Sequence, residues 1–201
     1  RRMYIAYKDI YTKLYPNNRP LDNFAYHLPD MDKTVITLET KAVLTNHDIA
    51  LILRHLIHEN LHRASYTSVK LFGGIKPLQS GLAMRDAKTK DYRLTYLNEA
   101  VTEDLACEAA ALLEQTSLLV KENLGSEKFS DLNICYKQER KSYKKFQKLL
   151  LIKFPEFTTI ENVKKRLIYP AYFYGDFKPL NKVLQVLGMS LLDLDDLLPM
   201  L

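Results

Sequence analysis

The sequence predicts an α+β fold in which a small N-terminal sheet precedes a long amphipathic helix and a mostly helical C-terminal part. Residues 34–38 form a short β-branched run, which is typical of a strand. Residues 51–64 carry apolar side chains at the three-to-four spacing of a helix that packs on one face. From about residue 134 onward, proline and glycine separate several amphipathic runs, which indicates consecutive helices.

The N-terminal elements follow from the same patterns. Residues 3–15 have apolar positions at helical spacing, so we expect a short amphipathic helix there. Residues 23–30 are predicted as a strand or an irregular segment. The strand over 34–38 is expected to have a free edge that holds an extended peptide. It leads into a helix over about 46–64.

The middle of the chain is predicted as a loop, a hairpin and a second helix. Residues 65–80 contain two adjacent glycines and a proline and are predicted as a loop. Residues 80–85 and 92–96 flank a polar turn and are predicted as the two arms of a β-hairpin. A helix rich in alanine and leucine is expected over 98–122, with Gly125 as its natural stop.

The C-terminal third alternates short helical patterns with prolines and glycines. We expect a basic helix over 134–153, a helix over 160–168 interrupted by Pro170, an aromatic loop over 171–178, a helix over 180–187, and a short final helix capped by Ser190.

The bulk composition excludes several classes of protein. The chain of 201 residues is 47% apolar and 26% charged, which is ordinary globular composition. Its net charge of +5 is modest, so we expect no nucleic-acid partner and interpret the basic run over 137–148 as a solvated helix face. No apolar run approaches the roughly 18 residues of a membrane span. We expect no signal peptide, because Arg1-Arg2-Met3 is followed by mixed polar and tyrosine-rich sequence, and cytoplasmic, secreted and delivered locations all stay open.

The helix over 46–64 contains the pattern H-E-x-x-H, formed by His58, Glu59 and His62. Residues four apart share a helix face, so both imidazoles can bind one metal ion while Glu59 reaches a water on that metal. Thr45 and Asp48, at the start of this helix, have the spacing of a capping box. The pattern is short, and a metal site needs a third protein ligand.

All five histidines of the chain lie at or before His62, so a ligand further along must be a carboxylate or Cys107. Glu99 and Glu103 are four residues apart in a predicted helix and therefore face the same way. Glu99 fits the ligand, and Glu103 fits an acceptor for the second ring nitrogen of a ligand histidine. Glu108 is turned off that face.

His58-Glu59-x-x-His62, followed 37 residues later by Glu99 within Asn-Glu-Ala-Val-Thr-Glu, resembles the gluzincins, the thermolysin-like zinc peptidases. The resemblance covers about residues 45–110. It implies a zincin-like fold and one Zn²⁺ ion held by His58, His62 and Glu99. It also implies that Glu59 acts as general base, that Glu103 supports a ligand histidine, and that the protein is a zinc metalloendopeptidase acting on a peptide or protein.

The chain departs from the thermolysin pattern because no histidine follows His62 to stabilise the oxyanion. Lethal-factor-like zinc proteases use a tyrosine for that task, and Tyr92 lies seven residues before Glu99 in a similar arrangement. Tyr92 is therefore the expected catalytic tyrosine. The other candidates are Tyr96, Tyr169, Tyr172 and Tyr174.

We expect residues 1–125 to form a zincin catalytic core with both metal-binding helices, and residues 126–201 to form a helical subdomain that closes the cleft. Two other functions stay open at the level of sequence. One is a catalytically silent zincin-like module that binds or regulates. The other is a helical protein that uses its basic helix to associate with nucleic acid or membrane. The sequence leaves the oligomeric state open.

Overall fold

The computed structural model describes residues 2–7, 25–28, 33–38, 44–70, 76–85, 91–125, 128–130, 132 and 136–201. This part of the chain contains helices and two small β-sheets, so the predicted α+β class is confirmed. The chain divides into two compact units. Unit 1 comprises residues 1–63 and 105–134, and unit 2 comprises residues 64–104 and 135–201. The predicted division near residue 125 stays a prediction.

Unit 1 begins with a three-stranded sheet. Its strands are β1 (Arg2–Tyr7), β2 (Ala25–Leu28) and β3 (Lys33–Leu38), in the order β1-β3-β2. β1 runs parallel to β3, and β2 runs antiparallel to it. The strand predicted over 34–38 is confirmed, and so is the strand within 23–30.

The helix predicted over 3–15 is wrong for residues 3–7, which lie in β1. Met3, Ile5 and Tyr7 fit a period of two as well as a helical period. All six residues of β1 pair with β3, and pairing with a distant strand outweighs such an ambiguous local pattern. Residues 8–15 lie outside the described part of the chain.

The position of β3 corrects its predicted role. β1 pairs along all of β3 on one side, and β2 pairs with residues 33–36 on the other, so β3 is the central strand. Its backbone groups over these residues are already bonded within the sheet. The free edge that was expected to hold an extended peptide is therefore occupied.

Helix α1 (Asn46–Ala64) confirms the helix predicted over 46–64. The predicted capping box forms at its start. The Thr45 hydroxyl accepts from the Asp48 N–H at 3.2 Å, and the Asp48 carboxylate accepts from the Thr45 N–H at 2.9 Å. These bonds satisfy backbone donors that have no partner inside the helix, which fixes where α1 begins.

Unit 1 has an apolar cluster to which α1 contributes one face. The buried members of the cluster are Ala50, Ala110, Leu124 and Phe129. The apolar stripe of α1, formed by Ile49, Leu53 and Ile57, packs against them. These three side chains are only partly buried. Apolar burial stabilises by roughly 25 cal/mol per Å², so this contact favours one rotation of α1 about its axis.

The residues predicted as one helix over 98–122 form two, α2 (Thr95–Thr116) and α3 (Leu118–Leu124). Ser117 separates them, because its side chain caps α3 by accepting a backbone N–H at 3.3 Å. A serine cap is worth about 1 kcal/mol, enough to favour a new helix start there. Gly125, with a φ of 59°, ends α3 as predicted.

Unit 2 contains a four-stranded antiparallel sheet in the order β4-β5-β6-β7. Its strands are β4 (Thr67–Lys70), β5 (Lys76–Ser80), β6 (Ala83–Arg85) and β7 (Tyr92–Arg93). The predicted hairpin is confirmed in β6 and β7, although its second arm is only two residues long. Thr95 already belongs to α2, which starts three residues earlier than predicted.

The loop predicted over 65–80 is wrong, because β4 and β5 occupy most of it. Pro77 indicated a loop, since proline cannot donate a hydrogen bond within a sheet. It pairs with Val69 just beyond a register shift between Ser68 and Val69. Such an irregularity is one of the places where a strand tolerates proline.

The C-terminal part of unit 2, over residues 137–200, is mostly helical. Its elements are α4 (Lys137–Lys153), a 3₁₀ turn (Pro155–Phe157), α5 (Ile160–Val163), a π-helix (Lys164–Ile168), α6 (Tyr169–Tyr174), α7 (Lys178–Val186), α8 (Leu191–Leu197) and a terminal 3₁₀ turn (Leu198–Met200). The helices predicted in this region are confirmed, and Ser190 caps α8 in a capping box with Asp193.

Two predictions in this region are corrected. Pro170 does not interrupt the helical segment, because α5, the π-helix and α6 follow one another without a break and Pro170 lies in the first turn of α6. The aromatic loop predicted over 171–178 is helical as far as Tyr174. Gly175, in the left-handed conformation with a φ of 69°, then ends α6.

A buried ionic cluster ties α2 to the helices that follow it in unit 2. Asp104 is 3% exposed and accepts from Lys164 Nζ at 2.5 Å and from Arg140 Nε at 3.0 Å. Lys144 Nζ lies 3.8 Å from the same carboxylate. Burial alone raises the pKa of Asp104, but Lys164 and Arg140 outweigh it and hold the pKa below its usual value.

Replacing Lys164 with methionine tests this cluster. We expect Lys164→Met to lower the free energy of unfolding by about 3 kcal/mol, because it leaves a buried carboxylate with fewer partners. Lys165→Met is the matched control, since Lys165 is 63% exposed in its side chain and pairs with Glu161 at the surface. Urea denaturation measures both variants, and equal losses contradict the structural role of Lys164.

Candidate metal site

The two histidines of the H-E-x-x-H pattern converge on one point. His58 and His62 lie one turn apart on α1, and their Nε2 atoms are 3.1 Å apart. The rings meet edge to face, with centroids 4.8 Å apart. Two nitrogens bound tetrahedrally to one zinc ion at about 2.0–2.1 Å are separated by about 3.3 Å. The pair therefore already has the spacing of two ligands of one ion.

Glu99 completes a group of three potential ligands. One ligand atom from each of His58, His62 and Glu99 lies within 4.8 Å of the other two. His58 is buried, and the other two side chains are half-buried. Two imidazole nitrogens and one carboxylate oxygen can hold a metal ion, and three protein ligands leave a coordination position for water. The three residues predicted as ligands are thus brought together.

Two further carboxylates predicted to serve the site are buried. Glu59 is 6% exposed and follows His58 directly on α1. Glu103 is 3% exposed and lies one turn after Glu99 on α2. Carboxylates are rarely buried unless other groups compensate the loss of hydration, so burial of both is consistent with specific roles. Their roles as base and as acceptor stay predictions.

His55 is a second buried histidine on α1, one turn before His58. Burial, followed by the neighbouring charges of His58 and Arg54, lowers the pKa of His55 to about 4. His55 is therefore a neutral imidazole at neutral pH. Its proximity in sequence to His58 does not make it a member of the three-ligand group found among the described residues.

The candidate tyrosines differ in how deeply their side chains are buried. Tyr172 is fully buried, and its hydroxyl is 2.8 Å from the Thr102 hydroxyl. The Tyr96 hydroxyl lies 3.2 Å from that of Ser142, which is itself buried. Tyr92 lies on β7 and is 39% exposed, so its side chain is accessible to a bound molecule. Its catalytic role stays a prediction.

Arg54 is a feature of α1 that the sequence pattern did not reveal. It lies four residues before His58 and is fully buried. Its Nη2 atom donates to the Sγ atom of Cys107, which is a buried thiol, at 3.0 Å. In the sequence, the only local sign of this contact is that an arginine stands four residues before the first histidine of the motif. Nothing in the sequence indicates that Cys107, 53 residues further on, is its partner.

The comparisons with known proteins give no assignment, because no family model, curated protein or solved structure matches the chain. Among the described residues, no helix has the length and apolar character needed to cross a membrane. The candidate function therefore depends on the residues of the site themselves.

The lowered pKa of His55 predicts a dependence of stability on pH. An unfolded chain binds the proton more tightly, so stability falls as the pH drops from 6.5 to about 4. We expect His55 to account for about 3 kcal/mol of this loss. In His55→Gln the loss should shrink by that amount, as measured by urea denaturation across this pH range with a chelator present.

His47→Gln is the control for His55, because His47 is an exposed histidine on the first turn of the same helix. It should keep the pH dependence of the wild type. An unchanged pH dependence in His55→Gln contradicts the assignment of a neutral, buried imidazole.

Proposed function

We propose that the protein is a zinc-dependent metallopeptidase of the gluzincin type with a zincin-like fold. The observation that carries the proposal is the group formed by His58, His62 and Glu99. The buried Glu59 beside the first ligand supports it, because a base is needed within reach of the bound water. The Asn-Glu-Ala-Val-Thr-Glu segment supports it through its resemblance to the second gluzincin motif.

Zinc is the metal that the donor set favours. Imidazole nitrogens with one carboxylate oxygen are typical of catalytic zinc sites, whereas Mg²⁺ and Ca²⁺ favour oxygen ligands alone. The 3.1 Å separation of the histidine Nε2 atoms is close to the value for tetrahedral coordination. When bound, zinc lowers the pKa of its water to about 7 and polarises the scissile carbonyl.

The residues of the chain would perform the proton transfers. Glu59 accepts the proton of the attacking water and returns it to the amine that leaves. Glu103 accepts a hydrogen bond from the free ring nitrogen of a ligand histidine and so fixes the tautomer that binds metal. Tyr92 donates its hydroxyl proton in a hydrogen bond to the oxyanion as the carbonyl becomes tetrahedral.

The substrate class follows from the resemblance and from the chemistry. A metal-bound water with a carboxylate base is suited to hydrolysis of an unactivated amide, and the gluzincin resemblance specifies the peptide bond. We propose internal cleavage of a peptide or protein. The central position of β3 means that such a peptide does not lie along the strand first expected to hold it.

Two substitutions separate metal binding from catalysis. Glu99→Ala should lose zinc, because only two protein ligands remain. Glu59→Gln should keep zinc and lose activity by at least about 10²-fold, because the amide cannot accept the proton. Metal analysis and cleavage of a peptide library measure the two effects. Glu108→Gln is the control, because Glu108 is an exposed residue on the same helix as Glu99. It should alter neither the zinc content nor the activity.

The outcomes distinguish the alternatives. Zinc near zero in the wild type contradicts the enzyme. Stoichiometric zinc without cleavage of any peptide favours a silent zincin-like module. If Glu99→Ala retains zinc, the third ligand is Glu103 or another residue. A salt-dependent shift on nucleic acid or anionic vesicles, together with absent zinc, favours a role for the basic helix α4.

A further substitution tests the proposed oxyanion donor. Tyr92→Phe should lower kcat by about 10²-fold while leaving zinc content unchanged, because one donor to the developing negative charge is removed. Tyr174→Phe tests the other exposed candidate, and we expect it to leave kcat unchanged, since Tyr174 is 76% exposed and follows the metal motifs by many residues. Steady-state kinetics measure both, and an unchanged kcat in Tyr92→Phe assigns the task to another group.

A further inference from the structure

In unit 2, a backbone turn is hydrogen-bonded to Asn98, the residue that precedes the proposed ligand Glu99. The Oδ1 atom of Asn98 accepts a hydrogen bond from the Leu82 N–H at 2.8 Å. Gly81, beside Leu82, has a φ of 58°, and a Cβ atom there would overlap Asn98 Oδ1. Any side chain at position 81 would therefore displace Asn98, which is 4% exposed.

One turn further along α2, Thr102 makes two hydrogen bonds. Its hydroxyl donates to the backbone carbonyl of Asn98 at 2.8 Å and lies 2.8 Å from the Tyr172 hydroxyl. A threonine hydroxyl has one proton, and that proton is given to Asn98. Tyr172 must therefore be the donor to Thr102. Both Thr102 and Tyr172 are fully buried.

These bonds close on themselves. The Tyr172 carbonyl accepts from the Tyr66 N–H at 2.8 Å, and the Tyr66 carbonyl accepts from the Gly81 N–H at 2.7 Å. Gly81 is bonded covalently to Leu82, where the series began. We call this closed series the Asn98 circuit; its members are Tyr66, Gly81, Leu82, Asn98, Thr102 and Tyr172.

The two acids predicted to serve the metal each follow a member of the circuit. Glu99 follows Asn98, and Glu103 follows Thr102. Fixing Asn98 and Thr102, which are four residues apart, fixes the rotation of this part of α2 about its axis. A carboxylate about 6 Å from a helix axis moves by about 2 Å when the helix rotates by about 20°. A shift of that size is comparable to a metal–ligand bond.

We propose that Asn98, Thr102 and Tyr172 are positioning residues that hold Glu99 in the orientation needed to bind metal. The inference rests on the proposed function, because it assigns the circuit a task at that metal site. The circuit acts by restricting α2, and the Glu99 side chain is not itself a member of it. Loss of one of its hydrogen bonds lets the ligand explore orientations that do not bind.

Thr102→Val and Thr102→Ser form the central pair of the test. Valine has nearly the shape of threonine but no hydroxyl, whereas serine keeps it. We expect Thr102→Val to weaken zinc binding by about 10-fold, since loss of a group that supports a metal ligand typically weakens affinity 10- to 100-fold. Thr102→Ser should stay within about threefold of the wild type. Chelator competition measures the affinity.

Tyr172→Phe removes a hydrogen bond that Thr102→Val also removes. The double variant, which combines Thr102→Val with Tyr172→Phe, should therefore weaken zinc binding no more than about twice as much as Thr102→Val alone. Substitution of Co²⁺ for zinc adds a spectroscopic readout, because its visible absorption follows coordination geometry. We expect the Co²⁺ spectrum of Thr102→Val to differ from the wild type and that of Thr102→Ser to match it.

Leu194→Ala is the control for general destabilisation, because Leu194 is fully buried on α8 and lies outside the circuit. It should lower Tm while leaving zinc affinity and the Co²⁺ spectrum unchanged at a temperature where the protein is folded. If Thr102→Val behaves in the same way, the circuit is merely structural and the positioning role is overturned, while the metal site itself stands.

A readout without metal keeps the two proposals distinguishable. Hydrogen exchange at the Leu82 amide should accelerate in Asn98→Ala, which removes its acceptor, even in chelator. If the wild type binds no zinc, the proposed function and this inference both fail, although the exchange result still shows that the circuit exists. If the wild type binds zinc and Asn98→Ala binds it equally, only the inference fails.

Discussion

The burial of a polar face on α1 is the constraint on which the candidate site depends. Arg54, His55, His58 and Glu59 are all buried, whereas the apolar stripe of the same helix is only half-buried. Burying such groups costs several kcal/mol unless other groups replace their hydration. The Cys107 thiol accepts one hydrogen bond from Arg54, and the two ligand histidines contact each other. On the proposed function, a bound cation provides a further replacement.

A second constraint acts on α2, where the acids of the site lie between two kinds of anchor. Neutral hydrogen bonds hold the helix at Asn98 and Thr102, and ion pairs hold it at Asp104. Neutral bonds are directional and insensitive to salt, whereas buried ion pairs are costly to break by removing one partner. Glu99 and Glu103 thus project from a helical segment whose rotation and translation are both restricted within unit 2.

The features that the sequence could predict are those that depend on contacts between residues close together in the chain. The capping box of α1 and the convergence of His58 and His62 depend on contacts within one helical turn, so spacing alone predicts them. β1 depends on pairing with a strand about thirty residues away, and its own residues fit two periods. The Thr102–Tyr172 bond spans 70 residues and leaves no periodic signal. Pro77 led to the wrong prediction of a loop, because a register shift in the pairing of β4 with β5 lets the strand accommodate a proline there.

At neutral pH His55 adds no positive charge beside the histidine pair. A protonated His55 would place a positive charge one turn from His58 and repel a metal ion, but the lowered pKa of His55 keeps it neutral. The charge of Arg54 contributes to that shift, and its Nη2 atom donates to the Cys107 thiol. Burial of His55 therefore removes a competing positive charge from α1 at the cost of stability in acid. The same neutral imidazole that makes the fold sensitive to low pH makes the histidine pair compatible with a divalent ion.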